Sequence, residues 1–212
     1  MTSADKLKAI NDVRSSMIAL LAGVAVILGA VFAGRTYRLN RTAAYADRYI
    51  KAVEQIASEK LAVKIGGIYS LTAIARGDGS WIPAVTQVLS SFVRQHPDSS
   101  KVPPDVLAAA RALGTPPLAN RGADLRGAKM QEAILEGVDF RGVIAADANL
   151  GLAKLANAKL DGADFTSADL RGADLSGASV KGTIFREADL RGATTNGVRW
   201  SEAITQGARG LT

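Results

Sequence analysis

The sequence predicts a mixed chain: a single apolar N-terminal helix, a small all-α module and a C-terminal solenoid built on a five-residue period. Three observations carry this. A run of twenty residues near the start holds no charge; the next stretch spaces its apolar residues as helices do; and from Ala123 onward a five-residue frame runs without an insertion.

Composition sets the limits within which each element is read. The chain of 212 residues is 48% hydrophobic but only 5% aromatic, and it carries 21 glycines. It is too apolar for disorder, which needs low hydrophobicity and high charge. The net charge of +6 is uneven: residues 1–120 hold 14 Lys/Arg against 8 Asp/Glu, whereas residues 121–212 hold 12 against 12. The chain has no cysteine, which excludes disulfides, thiolate nucleophiles and cysteine zinc sites.

The first element is the uncharged run SSMIALLAGVAVILGAVFAG, residues 15–34, behind an N-terminal tail of residues 1–14. At about 1.5 Å per residue it spans roughly 30 Å, the thickness of a bilayer's hydrocarbon core. Arg14 bounds one end and Arg35, Arg38 and Arg41 the other. A core helix apolar on every side would need a large protein around it. Val31-Phe32-Ala33 resembles the cleavage site of a signal peptide, but the run is long for a signal and the arginines after it act as a stop. The reading is a single-pass segment that enters a lipid bilayer through residues 15–34. Lys6, Lys8 and Arg14 precede it, diluted by Asp5 and Asp12, while Arg35, Arg38, Arg41, Arg48 and Lys51 follow. The positive-inside bias then places the C-terminal part in the cytoplasm.

Residues 35–120 read as a juxtamembrane helical module. Tyr45, Tyr49, Val53 and Ile56 recur every three or four residues. Leu61, Ile65, Ile68 and Leu71 form one stripe, with Ile74 at its edge, and Gly66-Gly67 marks a close approach between helices. A turn at Gly77–Ser80 lets Ser80 cap the helix WIPAVTQVLSSFVRQ, with Pro83 in its first turn. Asp98-Ser99-Ser100 breaks that helix, and Pro103-Pro104-Asp105 starts a short one stopped by Gly114. Three or four short antiparallel helices, resembling a HEAT-like pair, are expected. His96, the only histidine, stands at a helix end without a second ligand or a nucleophile and reads as solvent-exposed. Tyr69, Trp81 and Phe92 read as core. Gly77-Asp78-Gly79 lacks the preceding strand that a phosphate loop needs. Nothing in the module reads as catalytic.

From Ala123 to Gly207, within the repeat region 121–212, there are 17 pentads, ADLRG AKMQE AILEG VDFRG and onward. The first letter is Ala thirteen times, Val three times and Thr once; the third is large and apolar in 14 of 17, with Ala145, Thr195 and Thr205 as exceptions. A period of five fits neither helix nor strand, so the chain turns a corner once per pentad. Four corners close a square coil of about twenty residues, with letters one and three inward. Alanine is required at letter one because four long side chains already fill the interior. Glycine ends 10 of the 17 pentads, at the corner. Residues twenty apart should stack at roughly 4.8 Å. One inner column is then Leu125, Ala145, Phe165 and Phe185, another Phe140, Leu160, Val180 and Trp200; Leu170, Leu175 and Leu190 complete the core ladder. Outside, Asp139 lies under Lys159 and Asp161 lies between Arg141 and Lys181. Asp169 falls on Asp189 and Arg171 on Arg191, like over like.

These pentads resemble the pentapeptide-repeat family, whose motif is A(D/N)LXX and whose fold is a right-handed quadrilateral β-helix. The segment from Arg48 to His96, with VPPDVLAAARALG after it, looks like the helical part that follows the anchor in bacterial membrane-anchored members, which implies the bacterial plasma membrane. The tail TTNGVRWSEAITQG departs from the motif, and the last coil reads either as a cap or as a surface where a second chain packs into a homodimer. The family's quinolone-resistance members imply DNA mimicry and topoisomerase binding. That requires an acidic rod, and a repeat region balanced at 12 against 12 does not supply one, so DNA mimicry is the disfavoured alternative; no nucleic-acid partner is expected. An enzyme would need a concave pocket or a nucleophile–base pair, and neither is read here; no cofactor is implied. The remaining reading is a non-catalytic scaffold that offers the repeat surface to an unidentified protein partner. Its contact candidates are the outward Ile144 and Ile184, with Arg186, and the charged patch Asp169, Arg171, Asp189 and Arg191. Ile134 and Ile204 are also outward where polar residues are expected.

Overall fold

The computed structural model describes residues 3–96 and 101–211. Helix α1 spans Ser3–Ile56, and the chain divides into two compact units, Met1–Asp47 and Arg48–Thr212. In the first unit Leu20, Leu21, Ile27, Leu28, Val31 and Phe32 are all exposed, Phe32 by 74%. Every residue from 20 to 33 is apolar or glycine and every one is exposed, the pattern of a helix with an apolar surface all round. One stretch, Leu20–Ile56, is long and apolar enough to cross a membrane by length and composition. No Gly or Pro falls between residues 35 and 56, so the Tyr45–Ile56 stripe continues α1 instead of opening a new helix.

In the second unit α2 (Leu61–Gly77), α3 (Ile82–Arg94) and α4 (Pro104–Leu113) pack on one another. Ile68, Leu71, Val85, Leu89, Val93, Val106 and Ala109 form their core. Ile74, expected at the edge of its stripe, is buried, because both α3 and α4 cover α2. Leu61 is exposed instead. The close approach expected at Gly66-Gly67 belongs to Gly67 alone: a Cβ there would lie 2.8 Å from the Ala52 carbonyl oxygen, whereas at Gly66 it would meet nothing. Ser80 is not a helix cap. Asp78 caps the short turn Gly79–Trp81, its carboxylate accepting from the Ser80 N–H at 3.0 Å and the Ser80 hydroxyl at 2.7 Å. Helix α3 begins after that turn, with Pro83 in its first turn as expected. The break assigned to Asp98-Ser99-Ser100 lies outside the described residues.

Gly114, which ends α4, has no space for a side chain. Its φ of −91° is ordinary, but a Cβ would lie 2.9 Å from both Phe140 and Val138. The Gly114 carbonyl accepts from the Asp139 N–H at 3.0 Å, and Arg111 Nε donates to the Ile134 carbonyl at 2.8 Å. Arg94 adds an ion pair to Asp124. These contacts seat the helical module on the first coil.

Every bridge in the repeat region is parallel and joins residues twenty apart, from Asp124↔Ile144 to Asp189↔Arg209. They are single-residue bridges; no extended strand forms among the described residues, because only two or three residues separate successive corners. Letters one and three are buried in every pentad from Ala123 to Leu190, so the interior is filled by the letters that repeat. Leu125, Phe140, Leu160, Phe165, Leu170, Leu175, Val180, Phe185 and Leu190 all lie there, and Phe165 stacks on Phe185 with centroids 5.5 Å apart and planes at 9°. The one Thr at letter one, Thr183, is buried with its hydroxyl donating to the Leu160 carbonyl at 2.8 Å.

Each corner is a four-residue turn, as where the Ala128 N–H returns to the Leu125 carbonyl at 3.0 Å. Its third residue takes a positive φ, the signature of a type II turn and the reason letter five favours glycine. Leu152 holds that place at φ 57° with its side chain 54% exposed. Leu152→Asn is therefore expected to raise stability by about 0.5–1 kcal/mol, since Asn tolerates this conformation and little buried surface is lost. Comparing urea midpoints of the two proteins checks it.

The final coil departs from the ladder. Trp200, assigned to the core column under Val180, is only half-buried. It opens a short turn, Trp200–Glu202, and its ring meets Phe185 edge-on at 5.2 Å. The bridge that would join Ser179 to Arg199 is missing, but pairing resumes at Ile184↔Ile204 and Asp189↔Arg209, so the coil runs past Gly207. Letters one and three of this coil are half-exposed from Ala193 onward.

Candidate interaction surface

Four bridge columns run along the coil, one per side. The first carries Asp124, Ile144, Asp164, Ile184 and Ile204; the second Lys129, Asn149, Asp169, Asp189 and Arg209; the third Ile134, Lys154, Asp174 and Thr194; the fourth Asp139, Lys159 and Ser179. These are all letter-two residues, and letter two has an architectural task that the sequence reading left unassigned. When it is Asp or Asn, its side-chain oxygen accepts the N–H two residues on and braces the corner, at 2.9 Å for Asp164 with Thr166, 3.0 Å for Asp174 with Ser176 and 3.1 Å for Asn149 with Gly151.

Arg at letter four adds to this brace. The Asp169 carboxylate takes Arg171 Nε at 2.9 Å and its terminal nitrogen at 2.6 Å; Asp189 holds Arg191 with the same two distances. Asp124–Arg126 and Asp139–Arg141 repeat the fork. The signal was present as D-x-R, since residues two apart on an extended segment share a face. The patch Asp169, Arg171, Asp189 and Arg191, read as a contact candidate, is therefore internally paired. The expected stacking of like charges does occur, through the Asp169↔Asp189 bridge, and Arg171 Nε reaches across to Asp189 at 4.0 Å. On the fourth side Asp139 bridges Lys159, and Asp161 accepts from the Lys181 N–H at 2.8 Å, as the register required.

The arginines hold these carboxylates ionised. Arg191 beside Asp189 lowers its pKa to about 2, and Arg171 lowers that of Asp169. Because the folded pKa lies below the unfolded one, the forks stabilise the coil above roughly pH 4, and this is lost as pH falls toward 2. Melting curves of the wild type and Arg191→Gln should converge over that window.

Isoleucine at letter two cannot brace a corner. Ile134, Ile144 and Ile204 are instead exposed by 40%, 39% and 43%, with Ile184 half-buried. Three of the four fall in the first column, where bridges Ile144↔Asp164, Asp164↔Ile184 and Ile184↔Ile204 place them on one side. Arg186, also exposed, follows Ile184 by two residues and so lacks the carboxylate that pairs the other arginines.

In the helical module Tyr69, read as core, is 64% exposed. Trp81 is half-buried and lies against Tyr49, with ring centroids 5.0 Å apart; burial raises the Tyr49 pKa. Phe92 is half-buried, and so is His96, in place of the solvent exposure expected at a helix end. Among the described residues no three of His, Cys, Asp and Glu are grouped to hold a metal ion.

Residues 121–155 and 148–186 match the family model of pentapeptide repeats, in 8 copies. No curated protein matches the chain. Solved structures similar to it include HetL, a pentapeptide repeat protein involved in heterocyst differentiation regulation from the cyanobacterium Nostoc sp. strain PCC 7120, at 27% identity and a TM-score of 0.29 over 44% of this chain and 54% of that one. A second pentapeptide repeat protein of Nostoc PCC 7120 is 31% identical, with a TM-score of 0.28 over 35% of this chain and 62% of that one. Rfr23, from the cyanobacterium Cyanothece 51142, is 27% identical, with a TM-score of 0.24 over 41% and 58%. The chain thus spans between 54% and 62% of the length of these relatives.

Proposed function

We propose that this chain is a non-catalytic scaffold tethered to a bacterial plasma membrane by a single helix, with its pentapeptide-repeat domain in the cytoplasm, folded as a right-handed quadrilateral β-helix and offered to a protein partner. The observation that carries the contact surface is the first bridge column. Three of its five rungs give up a corner brace to place isoleucine outside, and the bridges align those three. A residue that serves neither the interior nor the corner is free to serve recognition, and an extended side is how solenoids recognise partners. Ile144 and Ile184 are the principal contacts, with Ile204 and Arg186 beside them. The half-exposed last coil is where a second copy would pack in a homodimer.

An apolar helix whose residues 20–37 are all exposed supports the tethering. The DNA-mimic alternative gains nothing from a repeat region with 12 basic and 12 acidic residues. The double substitution Ile144→Glu with Ile184→Glu is expected to leave the melting temperature nearly unchanged and to remove the proteins that co-purify with the full chain from native membranes. If every co-purified partner stays in place, the surface assignment is wrong.

A further inference from the structure

The helical module carries a groove of about 410 Å³ that belongs neither to its core nor to the coil. Helix α2 lines one wall with Ile65, Tyr69, Thr72 and Arg76, and α4 lines the other with Leu107 and Arg111 among its residues. Each set recurs at helical spacing, so two regular stripes face each other across an open channel. The groove is graded along its length. Lys64 pairs with Asp105 at 3.2 Å, which brings the start of α2 to the start of α4. Ile65, Tyr69 and Leu107 therefore lie toward one end, and Arg76 and Arg111 toward the other.

Two features set this groove apart from leftover space between helices. Tyr69 is 64% exposed over it, an aromatic side chain that the core does not use. Arg76 and Arg111 are both exposed, and neither has a carboxylate partner among the described residues; the groove lining contains no acidic residue. The Arg111 guanidinium is nevertheless fixed, because its Nε donates to the Ile134 carbonyl at 2.8 Å. Its two terminal nitrogens are not used by that bond, and they keep the planar donor geometry that matches a carboxylate.

We propose that this groove docks an acidic amphipathic segment of a partner protein, apolar at one end and carrying two carboxylates at the other. The segment's aliphatic or aromatic anchors sit on Ile65, Tyr69 and Leu107, and its carboxylates meet Arg76 and Arg111, the mode of a helix laid in a groove. Paired cations with no internal acid give the site its polarity and its selection against basic segments.

The test uses the full chain in phosphatidylcholine nanodiscs. It is presented with a 14-residue helical peptide bearing three leucines on one face and two glutamates near one end, and with the same peptide carrying lysines for glutamates. The acidic peptide should bind at least about tenfold more tightly than the basic one, with affinity falling as salt rises. Arg76→Glu with Arg111→Glu should reverse that preference. Tyr69→Ser, an exposed position outside the core, should weaken the acidic peptide about tenfold without altering the circular dichroism spectrum. Arg76→Glu alone, which leaves the Arg111 bond to Ile134 in place, should give a partial loss. Equal binding of the two peptides, or a preference that survives the double reversal, overturns the proposal. So does displacement of the acidic peptide by palmitate at equal concentration, which would assign the groove to a lipid.

Discussion

Replacing Phe165 with alanine is expected to destabilise the repeat domain by about 3–5 kcal/mol, the range for deleting a buried aromatic ring. Phe165 is 1% exposed, and it lies in the inner column between Ala145 and Phe185. Its ring stacks on Phe185 at 5.5 Å, and the small Ala145 on its other side leaves it to fill the space of that rung as well. A cavity opened there touches three coils, and the corner turns on either side hold the backbone too firmly for it to collapse inward. In a solenoid each coil rests only on its neighbours, so the loss divides the ladder into two stacks. Trp200 reports on the outcome: its ring touches Phe185, so its fluorescence should shift at lower urea in the variant. Ile144→Ala, one coil earlier on the outer surface, should change stability by no more than about 0.5 kcal/mol. Equal effects at the two positions would mean that letters two and three do not divide outside from inside.

The interior was legible because a filled square coil leaves only two inward letters per side, and their sizes are constrained by each other. Ala128 cannot become large while Met130 is large, so composition and register report the same geometry. Letter two was harder to read. Its preference for Asp or Asn is a corner requirement, visible only once the N–H two residues on is seen to need an acceptor. Until then Asp169 and Arg171 look like a surface patch instead of a brace. In the helical module, periodicity identifies a stripe but not what covers it. Ile74 is buried because two helices flank α2, and Tyr69 is exposed because the channel beside α4 is left open. Ser80 failed as a cap because Asp78, two residues earlier, accepts both its N–H and its hydroxyl. Trp200 failed as a core rung because three atypical pentads in succession, ATTNG, VRWSE and AITQG, loosen the coil that would have enclosed it.

Deleting Ser167 alone should be far more damaging than deleting the twenty residues 148–167 together. The long deletion removes one whole coil and preserves the frame. Lys129 then bridges Asp169, Ile134 bridges Asp174, Asp139 bridges Ser179 and Ile144 bridges Ile184, each pair having been forty apart in the intact ladder. Every inward letter remains inward, and the cost is the burial of one coil among several. The single deletion moves every later residue back one place. Asp169, Asp174 and Asp189 would enter letter one, and Arg171 and Arg191 letter three, both of which are buried positions. Ala168 and Ala173 would fall on the corner, where φ is positive and alanine is strained. Buried unpaired charges cost several kcal/mol each, so residues 168–211 cannot pair while residues 123–166 keep their frame on the seat provided by α4. Hydrogen exchange on the full chain distinguishes the two. The twenty-residue deletion should keep protected amides on both sides of the junction, and the single deletion should lose protection from residue 168 onward. Equal protection in both would show that the five-residue frame does not set the register of the coil.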